Sequence, residues 1–200
     1  MRSMSRAAAP PPAEEDPLLL ALQKALQALL RKAQNTYNLT ETASEVDAFC
    51  GCLEAVLQHK FKSKQFYMFT VHPWSLVEAS ESWGDAEAEA VQLAKGVGSS
   101  DAARLRAWIF VQLNQRSLQP SLTAILEDEA LRQTFFHEAA LMNRPDCRQL
   151  LLDLLRPLGG FETRVERRVN LGERRLSDGV LKQAFGGEER VPHDLRVRVR

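Results

Sequence analysis

Cysteine, aromatic side chains and net charge are all scarce in this chain of 200 residues. The three cysteines are an odd number, and Cys50 and Cys52 stand one residue apart. That rules out the disulfide framework of a small secreted domain and points to a reducing, intracellular setting. Lysine plus arginine and aspartate plus glutamate number 26 each, so the formal net charge is zero. No global excess of positive charge marks the chain as a nucleic-acid binder, and any electrostatic role must come from local patches. Nothing approaches the roughly 20 consecutive apolar residues that cross a bilayer. The opening MRSMSRAAAPPPAEED also lacks an apolar stretch before its prolines, so no secretory signal is expected. The sequon at Asn38-Leu39-Thr40 therefore carries no glycosylation meaning. No constant period recurs, which disfavours a solenoid.

Catalytic patterns are missing too. Cys50 and Cys52, two positions apart on a helix, project roughly 200° from one another and cannot chelate one ion together, and Cys147 supplies no second pair. His137-Glu138 begins like a zinc-protease HExxH, but position 141 is leucine, and a histidine on a packed helix is the better reading. Gly96 and Gly98 follow no strand and lead to no Gly-Lys-Ser/Thr, so they read as a helix stop, not as a phosphate loop. No GxSxG elbow occurs. Neither an enzyme, a metal site nor a cofactor is expected.

What the chain does have is hydrophobic content of 44%, enough to bury a real core in one domain. Residues 1–15, rich in Ala, Pro and Glu, read as a disordered lead-in. Asp16-Pro17 supplies an N-cap and a first-turn proline for an amphipathic helix through Leu18, Leu19, Leu22, Leu26, Leu29 and Leu30, ending near Gln34. After a polar turn, Thr42-Ala43-Ser44-Glu45 fits a capping box. The second helix then carries Val46, Phe49, Leu53, Val56, Leu57 and Phe61 on one stripe. Phe66 to Val71 fits a short extended piece, Pro73-Trp74 starts a brief helix, and residues 84–95 another with an acidic first turn. From Ser99-Ser100-Asp101 a helix runs through Leu105 to Leu113 with almost no polar face, which marks it as central and buried. Further helical patterns cover 117–128 and 129–142, and Asn143-Arg144-Pro145-Asp146 starts another, packed by Leu150, Leu151, Leu154 and Leu155 and ended by Pro157 and Gly159-Gly160. The expectation is an all-α, compact bundle of seven or eight helices over residues 16–170, with Phe161, Val165 and Val169 still docking on the core and a flexible, arginine-rich tail over 171–200.

The remaining signal lies in charge. His59, Lys60, Lys62 and Lys64 gather at the end of the second helix, where cations suit the dipole. Arg104 and Arg106 stand at the start of the nearly apolar helix, where the dipole disfavours them. Asp101 is placed to pair with Arg104 at i,i+3, whereas Arg106 lacks a local partner and must meet an acid from another helix or a binding partner.

Three blocks give these charges a context. They are residues 49–62, FCGCLEAVLQHKFK, residues 104–118, RLRAWIFVQLNQRSL, and residues 122–142, LTAILEDEALRQTFFHEAALM. In this order the chain resembles the RUN domain family of helical modules, with the second block the most specific. It departs at Lys60, where that family usually has glycine, and at Ala103, where glycine often precedes the basic residues. The aromatic-tryptophan element expected after the first block is matched only loosely. The resemblance implies a non-enzymatic adaptor that binds a GTP-loaded small GTPase of the Rab, Rap or Arl groups, with motor or tethering proteins as further partners. It implies a cytoplasmic protein acting in membrane trafficking or signalling, peripheral on endosomal or other vesicle membranes. By position it carries His59, Lys62, Arg104 and Arg106 into the partner interface, and Lys64 extends the basic end of the second helix. The alternative is a nucleotide-independent scaffold for a motor, kinase or cytoskeletal protein. Direct attachment to anionic membrane through the terminal DLRVRVR is weakened by the acidic residues upstream.

Overall fold

The computed structural model describes residues 12–36, 38–40, 42–62, 72–160 and 164–166. Among them are eight α-helices: α1 (Pro17–Asn35), α2 (Ser44–Gln58), α3 (Trp74–Glu78), α4 (Asp85–Val97), α5 (Asp101–Asn114), α6 (Leu118–Glu127), α7 (Glu129–Phe135) and α8 (Pro145–Leu155). The all-α bundle read from the sequence is therefore what forms. Two three-residue strands join it, β1 (Asn38–Thr40) and β2 (Arg164–Glu166), paired in parallel with Leu39 opposite Val165. The segments expected at Phe66 to Val71, at residues 1–11 and at 171–200 lie outside the described residues, as do Phe161 and Val169.

Local chemistry explains most of the boundaries. The Asp16 carboxylate accepts the N–H of Leu18 at 3.0 Å and Pro17 occupies the first turn, so α1 starts where its cap requires. The fold itself begins slightly earlier, with a 3-10 turn at Ala13–Glu15 that buries Ala13. Ser100 caps α5 through the N–H of Ala103, and Asp128 caps α7 through Leu131. The capping box expected at Thr42 does not form. The N-cap of α2 is Ala43, whose methyl group cannot accept a hydrogen bond, while Thr42 pairs with Thr40 and Ser44 with Glu45.

The core is built on α5, where Leu105 and every residue from Ala107 to Leu113 are buried, as its apolar composition demands. Gln112, the one polar member of that run, satisfies its side-chain oxygen with the hydroxyls of Ser117 and Ser121. Against α5 packs α4 as an antiparallel hairpin. Gly98 closes that hairpin so tightly that a Cβ there would lie 2.5 Å from the backbone nitrogen of Arg104, which only glycine tolerates. Helix α2 buries Val46, Phe49, Cys50, Leu53, Val56 and Leu57. Together with α1 it forms the most extensive helix pair.

One predicted helix is shorter than its pattern. Residues 129–142 were expected to run as one, but α7 stops at Phe135 and Phe136 turns extended. The cause is non-local: Phe136 bridges antiparallel to Phe61, whose side chain is buried beyond the end of α2 and not within it. His137 consequently sits exposed on a turn, not on a packed helix. The chain then passes through a 3-10 turn at Leu141–Asn143 into α8.

Candidate functional site

Two places gather the charged residues singled out above. The first is the basic end of α2. After the C-cap His59, Lys60 adopts φ 51°, a left-handed conformation that costs a side-chain-bearing residue about 1 kcal/mol and that glycine takes freely. The turn throws residues 60–62 alongside the segment after α7. Lys62 N–H donates to the Phe135 carbonyl at 2.7 Å and His137 N–H to the Lys60 carbonyl at 3.0 Å. Phe61 seals the pairing, stacked on Phe135 with ring centres 5.6 Å apart and edge-on to Phe136 at 5.2 Å.

On this scaffold the side chains have distinct roles. The Lys62 ammonium donates to the Gln133 carbonyl. Lys60 is exposed, and neither lysine has a carboxylate at ion-pair distance among the described residues. His59 turns inward, and its Nδ1 accepts the Leu141 N–H at 3.1 Å. Burial pushes the His59 pKa down, the charges of Lys60 and Arg144 push the same way, and Asp16 opposes them. Lys64 lies outside the described residues.

The second place is the start of α5. Arg104 donates to Asp101 at 3.0 Å, the pairing its spacing suggested, and to the Gly98 carbonyl at 3.3 Å. Arg106 finds its partners on α2, with Nε donating to Glu54 at 3.0 Å and an Nη to Asp47 at 2.6 Å. Burial works against this guanidinium, yet its bonds to Asp47 and Glu54 hold its pKa above the ordinary arginine value. Beside it an open depression of about 390 Å3 is walled by Ser44 and Asp47 of α2 and by Ala103, Arg106, Ala107 and Phe110 of α5.

The four described residues thus fall into two groups. Glu54 and His59 are five residues apart on α2, so their side chains diverge by roughly 140° around its axis. Arg106 and His59 accordingly engage different faces of that helix. Asp47 and Glu54 were not anticipated. Their seven-residue spacing, two turns on one face, is the signal that an acid stripe on the second helix awaits a cation from elsewhere. Asn114 was likewise missed as a functional anchor: its side-chain amide donates to the Val165 carbonyl at 3.1 Å and accepts the Val165 N–H at 2.9 Å.

Among the described residues no cluster of His, Cys, Asp and Glu has metal-binding geometry, and the three cysteines are free thiols. Burial drives the Cys50 pKa up to about 12, the condition of an inert core thiol. No described helix is long and apolar enough to cross a membrane.

No curated protein matches the chain closely enough to count as a relative. A family model does match. The RUN domain model covers residues 48–166, more than half of the chain, from the first turns of α2 to the last residue of β2. RUN domains are in general protein-interaction modules that engage small GTPases. The match takes in both the basic end of α2 and the Arg104–Arg106 start of α5, and the chain belongs to the RUN domain family.

Proposed function

We propose that this protein is an adaptor that binds a GTP-loaded small GTPase of the Rab, Rap or Arl class in membrane trafficking or signalling. The observation that carries the reading is the RUN match across residues 48–166, which contains the basic end of α2 and the start of α5. GTPase switch regions are often acidic and become ordered only around the γ-phosphate, so a basic surface can read nucleotide state through charge pairing.

Within the interface of His59, Lys62, Lys64, Arg104 and Arg106, the end of α2 is the favoured contact. Lys62 and the neighbouring Lys60 have no carboxylate partner among the described residues, whereas Arg104 and Arg106 are already paired to acids. A new acidic partner gains most from cations that are not yet neutralised. His59 contributes by shaping the turn.

Capture of a panel of small GTPases in GTP-analogue and GDP states tests the proposal. The purified protein should retain one or more in the GTP state only. The double variant Lys60→Glu/Lys62→Glu should lose that capture with helix content unchanged by circular dichroism. Equal capture in both nucleotide states would favour a nucleotide-independent scaffold, and undiminished capture by the double variant would remove this surface from the interface.

A further inference from the structure

Most of the polar groups at the end of α2 are donors, but the imidazole of His59 accepts. Its Nδ1 takes the Leu141 N–H at 3.1 Å, which requires that nitrogen to be unprotonated and places the proton of the neutral ring on Nε2. Leu141 opens the 3-10 turn Leu141–Asn143. The segment from Phe135 to Leu141 is therefore tethered to the end of α2 at three points. Lys62 N–H holds the Phe135 carbonyl, His137 N–H holds the Lys60 carbonyl, and Leu141 N–H holds His59. The first two bonds are between backbone groups and are indifferent to pH. The third depends on one ring nitrogen.

We propose that His59 is a proton-operated latch on the 137–143 turn. A proton taken from solvent onto Nδ1 converts the acceptor into a donor facing another donor, and the Leu141 N–H is released.

The charges around the ring set its working range. Lys60 faces it from its own turn, Arg144 from the start of α8 and Asp16 from the start of α1; on the tethered turn His137 and Glu138 are exposed to water. With burial and the two cations outweighing Asp16, the ring in the closed turn is harder to protonate than in an open one. The sign follows from linkage. Above the ordinary histidine range both forms are neutral and the latch holds fully. As pH falls through that range the open form takes the proton first, so closure weakens progressively until the depressed pKa of the closed form is reached. Leu141 and Met142 remain buried anchors, at 2% and 0% exposure, which confines the opening to the turn. The device does not depend on which partner the basic end of α2 meets.

Amide hydrogen exchange on the full chain, followed by NMR from pH 7.5 to 5.5 and corrected for intrinsic rates, tests the latch. Protection of the Leu141 amide should fall across the window, by up to about tenfold, tracking the titration of the His59 ring, while the Lys62 amide stays constant. His59→Asn offers a carbonyl that can accept the same N–H without titrating, so it should keep Leu141 protected at both ends of the window. Constant Leu141 protection in the wild-type protein overturns the proposal, and so does an undiminished pH dependence in His59→Asn. If that variant does not fold, the wild-type comparison alone decides.

Discussion

Arg106 of α5 and Glu54 of α2 meet at 3.0 Å through Nε and Oε1, 52 positions apart in the chain, and Asp47 completes the pairing from two turns earlier on α2. The guanidinium thus fastens the central helix to the helix that leads to the basic corner. Its side chain is 39% exposed, against 20% for Glu54 and 62% for Asp47, so solvent screens much of the attraction. Arg106→Met should lower stability by about 1 kcal/mol. Arg106→Glu should lower it by about 2 kcal/mol, since it sets a third carboxylate against two. Urea denaturation of Arg106→Met, Glu54→Gln and the double variant would give the coupling energy. A coupling indistinguishable from zero would mean that the pairing contributes nothing to the fold. The same arithmetic makes Arg106 reversal a poor probe of partner binding, because it disturbs the fold and the surface together.

Lys60 allows stability and binding to be separated. Its φ of 51° penalises any residue with a Cβ, and the family pattern places glycine there. Lys60→Gly relieves that strain but enlarges the conformational freedom of the unfolded chain, two effects of about 1 kcal/mol or less that oppose one another. The variant should be as stable as the wild type or slightly more so. Lys60→Val should be about 1–2 kcal/mol less stable, because a branched side chain fits that backbone worst. Thermal unfolding of the three proteins checks the order, and a clear destabilisation by glycine would contradict it. At the proposed interface Lys60→Gly removes one unpaired cation without a fold penalty, so its GTPase capture should weaken.

These two positions also show how far the sequence could be read. Helices declare themselves through apolar residues every three or four positions, as in α1 and α8, or through an almost unbroken apolar run, as in α5. Asp16 caps α1, Ser100 caps α5 and Pro145 opens α8, so their limits were legible. The pairing of Arg106 was not, because it depends on packing two helices whose contacting residues lie 52 and 59 positions apart. Phe135 and Phe136 look alike as helical core, yet the demand of Phe61 for a partner ends α7 between them. Strands of three residues, such as β1 and β2, contain too few positions to show an alternation at all. The basic end of α2 was visible as a charge cluster. That His59 faces inward while Lys60 faces water required the left-handed turn to be seen.

The thiols should differ sharply in reactivity. Cys50 is fully buried beneath the Arg106 pairing, with its pKa raised to about 12 by desolvation, and Cys147 is buried too, while Cys52 is partly exposed. Only a thiolate attacks an alkylating reagent at an appreciable rate. Iodoacetamide at pH 8 should therefore modify Cys52 slowly in the folded protein and leave Cys50 untouched until denaturant is added. Peptide mass spectrometry resolves the two sites. Prompt native labelling of Cys50 would show that the structure around it opens far more readily than its burial suggests.

Asn114 does for β2 what a third strand would do. Val165 turns its N–H and carbonyl away from β1, and both end on the Asn114 amide, while its side chain is fully buried. Asn114→Ala strips both bonds at once and leaves two backbone groups in a poorly hydrated place, which should cost about 1–3 kcal/mol. Asn114→Asp separates the two halves: its carboxylate still accepts the Val165 N–H, but it sets oxygen against the Val165 carbonyl. It should be destabilised as well, and the loss should shrink at a pH low enough to protonate the new acid, since a protonated oxygen can donate to that carbonyl. Denaturation curves give the energies. Limited proteolysis gives the location, with faster cleavage at β2, residues 164–166, in both variants and an unchanged pattern elsewhere. Wild-type stability and an unchanged cleavage pattern in Asn114→Ala would mean that β1 and the buried Val165 hold the strand unaided.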